Sequence, residues 1–162
     1  MCKINFKKTL PYIGSILFMI ILSYIYFSPD ILEGKVLFQG DTQQGIAIGQ
    51  EGKAFREATG ETTRWTNSLF SGMPNFQISP SYANNYWMGQ IGRIYHLGLQ
   101  SPASLVFIMM LGFFILLSAM KIRWYLALVG AIAYAFSSYF FIIIGAGHIW
   151  KFITLAYIPP TI

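Results

Sequence analysis

Three long apolar runs and a shorter terminal one divide the chain, with polar sequence between them. The long runs cover residues 10–27, 103–120 and 126–144, and the terminal run begins near residue 149. At about 1.5 Å of rise per residue, a helix over any of the long runs nearly crosses a hydrocarbon core of roughly 30 Å. The pattern predicts an all-α integral membrane protein with three spans and a partial fourth.

Small residues recur on one face of the third run. Ala127, Ala131 and Ala135 follow one another at four-residue spacing, which lets another helix approach closely. We therefore expect this run to lie inside a helical bundle. Pro159 and Pro160 are expected to kink or end the last helix. The last apolar segment stops in mid-element at Ile162, which predicts that the chain is the N-terminal part of a longer membrane domain.

Composition and charge strengthen the membrane prediction and orient it. Only 10% of residues are charged, whereas soluble domains carry about 25%. The net charge of +5 comes without any long Lys/Arg run, so no nucleic-acid partner is predicted. Basic residues instead flank the apolar runs, at Lys3, Lys7, Lys8, Lys121 and Arg123. The positive-inside rule makes these sites and the N-terminus cytoplasmic.

The segment 28–102 is then a large outer loop, and it contains all six acidic residues. A helix is predicted over 43–59, with Gly60 as its C-terminal cap and Asp41 and Gln44 at capping-box spacing. A second helix is predicted from Ser79 to about residue 96. A loop of this length is expected to have structure or function of its own.

Three stretches in this order resemble the N-terminal part of bacterial YfhO-type membrane proteins, which are grouped with the GT-C glycosyltransferases. They are LEGKVLFQGDTQQG (32–45), RWTNSLFSGMPNFQIS (64–79) and GAGHIWKFITLAYIPP (145–160). The resemblance implies a GT-C-like multi-pass bundle in the bacterial cytoplasmic membrane. It further implies transfer of a sugar from a polyprenyl-phosphate donor to a cell-surface polymer, on the extracytoplasmic side. Known relatives are longer, so this part alone is expected to be inactive.

Asp41 is the predicted catalytic residue, because the family places an essential acid in the first outer loop. Its carboxylate would take the proton of the acceptor hydroxyl as that oxygen attacks the sugar. The structural alternative is a helix N-cap that satisfies free backbone N–H groups. The residues alone favour the cap, whereas the resemblance favours catalysis, and one carboxylate can do both.

Five further residues are predicted to bind substrate. Positive charge stabilises a leaving phosphate, and His148, Lys151 and Arg64 could supply it. Trp65 could stack on a sugar face, and Asn67 could bond sugar hydroxyls. The alternatives are a tight turn at His148, snorkelling at Lys151, a solvated loop charge at Arg64 and ordinary loop packing for Trp65 and Asn67. Snorkelling also explains Arg93 best. No metal site and no cofactor are predicted.

Two other functions remain open. A transporter or lipid flippase would want ionisable residues within its spans, and the three long runs contain none. A non-catalytic envelope-assembly protein would tolerate replacement of Asp41 and would depend on the Ala127, Ala131 and Ala135 face.

Overall fold

The computed structural model describes residues 6–77 and 86–162, and α-helix predominates in them. These residues form eight α-helices, which are α1 (Phe6–Tyr26), α2 (Ser28–Leu32), α3 (Gly40–Thr59), α4 (Tyr86–Tyr95), α5 (Ala103–Ala119), α6 (Trp124–Ala135), α7 (Ser138–Ala146) and α8 (Ile149–Thr161). Two short strands, β1 (Trp65–Thr66) and β2 (Met73–Pro74), pair antiparallel. A 3₁₀ helix, Asn75–Gln77, follows β2.

Helix α5 forms the centre of the bundle. Its sequence is apolar on every side, which is typical of a helix surrounded by other helices or lipid. Residues 103–110 are all buried, with α1, α6 and α8 packed around them. The prediction of an all-α fold is thus confirmed in its coarse form, as a mostly helical protein with α5 at the centre of its packed helices.

Small residues allow the closest approaches within the bundle. Ala127, Ala131 and Ala135 are fully buried on α6, so the prediction of a helix-packing stripe is confirmed. On α5, a Cβ at Gly112 would lie only 2.5 Å from the carbonyl oxygen of Ala156 on α8. Glycine is thus the only residue that fits this crossing without movement of backbone.

The third apolar run forms two helices rather than one. Helices α6 and α7 are bent by 46° relative to each other. The break falls at Ser137, whose backbone is extended with ψ 142°, and Ser138 begins the next helix. Adjacent serines favour such kinks, because their hydroxyls compete for backbone hydrogen bonds.

One described helix, α1 over Thr9–Tyr26, is long and apolar enough to cross a membrane by itself. Taken together as a broken span, α6 and α7 also meet that test, whereas α5 is apolar but has 17 residues. The predicted outer helix over 43–59 begins earlier, at Gly40. Gly60 caps it as predicted, in a left-handed conformation with its N–H donating to Arg56. The start predicted for the second outer helix lies outside the described residues, and its described part is α4.

Basic residues lie at one end of the bundle, and the turn between α7 and α8 lies at the other. Tyr12 near the start of α1 approaches Phe114 near the end of α5, with ring centroids 6.0 Å apart. Near the other end of α1, the Tyr24 hydroxyl accepts from the backbone N–H of Gln100, which precedes α5, at 3.5 Å. The two helices are therefore antiparallel, and Lys7 and Lys121 belong to one end. At the opposite end, Tyr26 contacts Phe141 of α7, with centroids 4.9 Å apart. The described residues between α1 and α5 and the turn between α7 and α8 lie at that end.

Candidate functional site

The start of α3 packs against the turn between α7 and α8. Gln39 precedes α3, and its Nε2 donates to the carbonyl oxygen of Ile144 at 2.7 Å. Its Oε1 accepts from the Thr42 hydroxyl at 3.0 Å. Gly147 has φ +93°, and a Cβ there would lie 3.0 Å from Thr42 Oγ1. The glycine thus lets the turn approach the first residues of α3.

This packing brings Asp41 and His148 together. The Nδ1 of His148 lies 3.0 Å from Oδ2 of Asp41, and the two side chains are 53% and 50% exposed. A neutral imidazole can donate its Nδ1–H to the carboxylate, and a protonated one adds an ion pair. The pair is therefore held in place yet open to a ligand from solvent.

The predicted capping role of Asp41 is wrong. Gln39 is the N-cap residue of α3, with extended backbone, so Asp41 is already the second helical residue. The capping box with Gln44 consequently does not form. The helix starts early because Gln39 is fixed by Ile144 and Thr42. Asp41 still gains from its place in the first turn, where the helix dipole favours negative charge.

Glu51 fastens the β-hairpin to α3. Its carboxylate accepts from the Thr66 hydroxyl at 2.6 Å, from the Ser68 hydroxyl at 2.9 Å and from the Asn67 backbone N–H at 2.8 Å. Hydrogen bonds from Thr66 and Ser68, followed by the Asn67 backbone N–H, lower the pKa of Glu51 from 4.5 to about 2. So low a pKa makes Glu51 a poor proton acceptor.

Trp65 and Asn67 lie side by side on this hairpin. Asn67 donates from Nδ2 to Glu51 Oε1 at 3.1 Å and accepts from Trp65 Nε1 at 3.2 Å. The Trp65 ring packs on Gly72, where an added Cβ would lie 2.9 Å from the indole. The amide of Asn67 is thus engaged within the protein, while Trp65 keeps 52% of its surface exposed.

Lys151 and Arg64 are not joined to the Asp41 carboxylate. Lys151 lies in the first turn of α8, and its Nζ is 5.7 Å from the centroid of the Tyr139 ring. The Arg64 side chain is exposed beside β1. Across residues 6–77 and 86–162, neither forms an ion pair with Asp41. The structure thus brings Asp41 together with His148, and Trp65 together with Asn67 on the β-hairpin.

The sequence reasoning missed Glu51. Its one available signal is the run Thr66-Asn67-Ser68, which presents three consecutive polar side chains to a nearby acceptor. Nothing in the sequence indicates which of six acids receives them. Within the described part of the chain, no group of three His, Cys, Asp or Glu side chains could hold a metal ion.

No family model, curated protein or solved structure matches this chain. The resemblance to the YfhO-type proteins therefore stays a prediction, and the function must be argued from the chemistry of the site.

Proposed function

We propose that this chain belongs to a multi-pass membrane glycosyltransferase that moves a sugar from a polyprenyl-phosphate donor to a cell-surface acceptor outside the cytoplasmic membrane. The observation that carries the proposal is the contact between Asp41 and His148 at 3.0 Å. It joins an acid in the first turn of α3 to the residue that precedes α8. An exposed carboxylate oriented by a histidine is suited to accept a proton from a bound hydroxyl.

Exposed apolar side chains support the membrane placement. Leu17, Ile21 and Ile25 on α1 are each more than half exposed, and so are Val129 on α6 and Ile142 on α7. In water these surfaces would be an aggregation hazard, whereas lipid tails would cover them at no cost. The basic residues Lys7 and Lys121 share the opposite end from Asp41. The positive-inside rule then puts the Asp41 end outside the cytoplasm.

Asp41 and His148 have separate roles in the proposed reaction. The acceptor oxygen bonds to the anomeric carbon of the sugar while its proton passes to the Asp41 carboxylate. The bond from that carbon to the phosphate oxygen breaks, and the polyprenyl phosphate leaves with the electron pair. His148 donates to Oδ2, so Oδ1 is the oxygen left to take the proton. A protonated His148 would also offset negative charge on the departing phosphate.

A non-catalytic assembly role is the second candidate. It is favoured by the bonds around Gln39 and Thr42, because they make the Asp41–His148 contact one of several that tie α3 to the α7–α8 turn. In that case the carboxylate is only a hydrogen-bond acceptor. An asparagine at position 41 would do the same through its amide oxygen.

Replacement of Asp41 in the full-length protein, in the cells that make it, separates the two candidates. Asp41→Asn keeps the acceptor for His148 and removes the base, whereas Asp41→Ala removes both. We expect both variants to lose the surface-polymer sugar at normal protein level, with Glu61→Gln as the control that keeps it. Normal sugar content in Asp41→Asn, with loss only in Asp41→Ala, would show that Asp41 serves only as a hydrogen-bond acceptor and would contradict the catalytic assignment.

A further inference from the structure

A groove of about 680 Å³ lies between α4 and α8. Helix α8 contributes Trp150, Ile153 and Tyr157, and the α4 side contributes Ile91 and Arg93. The volume is in the range of about 300–1,000 Å³ that small-molecule sites occupy. The groove is separate from Asp41 and from the β-hairpin, since none of their residues lines it.

The described residues of the lining carry a single formal charge, which is positive. Arg93 is the only charged residue among the described ones that line the groove, and its side chain is exposed in the last turn of α4. His96 also lines the groove, and burial lowers its pKa below the usual 6.5, so this imidazole is neutral near pH 7. No acidic residue is present in the described lining to pair with the guanidinium.

Helix α4 is anchored at the edge of the bundle. The Tyr95 hydroxyl donates to the carbonyl oxygen of Ile108 at 3.3 Å, and its ring lies 4.7 Å from that of Tyr157. On the outside of the helix, Trp87 and Ile94 are each nearly three-quarters exposed. An amphipathic helix with exposed Trp and Ile beside an apolar bundle is typical of the membrane interface.

We propose that this groove binds one anionic phospholipid of the surrounding bilayer, with an acyl chain along Trp150 and Ile153 and the phosphate at Arg93. The apolar walls of the groove suit an acyl chain, and the positive charge of Arg93, which has no acid beside it in the described lining, suits a phosphate. A further helix in the groove would instead desolvate the guanidinium and would have to supply an acid. The proposal rests on the membrane placement proposed above and is independent of sugar transfer.

Contact quenching of Trp150 tests the proposal. In the full-length protein in detergent micelles, the chain's other tryptophans and any elsewhere in the protein are replaced by Phe, with folding checked by circular dichroism. Brominated phosphatidylglycerol and brominated phosphatidylcholine are titrated in parallel. We expect phosphatidylglycerol to quench Trp150 at a roughly tenfold lower mole fraction, because the choline ammonium of phosphatidylcholine offsets the charge of its phosphate and is repelled by Arg93.

Arg93→Gln in the same background should remove the preference, whereas Arg56→Gln on α3 should retain it. Equal quenching by the two lipids, or a preference that survives Arg93→Gln, would overturn the proposal. Absence of quenching in a folded protein would also overturn it and would mean that protein covers the groove. None of these outcomes bears on Asp41, so failure here and failure of the glycosyltransferase assignment are distinguishable.

Discussion

Among single residues, Gly147 controls the distance between the α7–α8 turn and α3. Its φ of +93° lies in the region that side-chain-bearing residues avoid. A Cβ would also lie 3.1 Å from the backbone nitrogen of Thr42, an atom that cannot rotate away. Asp41 and His148 flank these two positions, so their contact depends on the absence of a side chain at Gly147.

Gly147→Ala should therefore loosen the site and destabilise the fold by about 1–3 kcal/mol. Thermal unfolding in detergent measures the change. Gly145→Ala is the matched control, because that glycine has no atom within 4 Å of its Cβ position and no positive φ. Equal unfolding temperatures for the two variants would contradict this role for Gly147.

Glu51 makes the β-hairpin sensitive to acid. Its carboxyl has a pKa of about 2 in the folded protein and near 4.5 in an unfolded chain. A depressed pKa contributes stability above the unfolded value, and this contribution is lost as pH falls from about 4.5 towards 2. The hairpin should consequently loosen over that range.

Hydrogen exchange of residues 64–75 checks this expectation. Glu51→Gln should exchange faster than wild type near pH 7, and the difference should shrink as pH falls below 4.5. Glu61→Gln, which alters an exposed acid after α3, should match wild type at every pH. Exchange in Glu51→Gln that equals wild type near pH 7 would refute the fastening role of this carboxylate.

The sequence indicates candidate residues at the site but not their partners in the fold. Asp41 and His148 were singled out from the sequence, but their contact spans most of the chain and depends on Gln39 and Gly147. The Asn67 amide contacts Glu51 and Trp65, as the alternative of loop packing predicts, and ligand binding by Asn67 stays a prediction. Partners from distant segments cannot be derived from local spacing, because several acids fit the same donors equally well.

Among the helices, the tightest crossing is that of α5 with α8. At Gly112 an added Cβ would meet the carbonyl oxygen of Ala156 at 2.5 Å and the Tyr95 hydroxyl at 2.8 Å. The tyrosine can move, but the backbone carbonyl cannot move without shifting α8. Overpacking at such a contact typically costs about 1–3 kcal/mol.

Gly112→Ala should accordingly lower the unfolding temperature in detergent, while Gly14→Ala should leave it unchanged or raise it slightly. Gly14 has open space around its Cβ position, and alanine is the better helix former. A Gly112→Ala protein as stable as the Gly14→Ala protein would show that α8 can shift freely over α5.

Element positions were predicted better than element shapes. Apolar runs identified α1 and α5, and the left-handed cap at Gly60 was anticipated from its place after a periodic segment. The bend at Ser137 was not predicted, because the run remains apolar on both sides of it and hydropathy carries no information about a change in helix direction. The hairpin strands have two residues each, too few for an alternating pattern to be visible.

For the whole molecule, the proposed function requires that the two ends of the bundle face opposite sides of a membrane. Cysteine accessibility tests this, starting from a Cys2→Ser background with any other cysteines of the full-length protein also replaced. On intact cells, a membrane-impermeant maleimide should label Glu61→Cys and not Lys121→Cys, although both positions are exposed in the fold. Permeabilised cells, in which both should react, provide the control. Labelling of Lys121→Cys on intact cells would reverse the proposed orientation.

The central claim is that the Asp41 carboxylate acts as a base in sugar transfer, and a purified assay tests it most directly. The full-length protein in proteoliposomes is supplied with a radiolabelled polyprenyl-phosphate sugar and the surface polymer. Asp41→Asn should transfer label at least about 100-fold more slowly than wild type, as expected when a general base is lost. Transfer by Asp41→Asn at the wild-type rate would contradict the account.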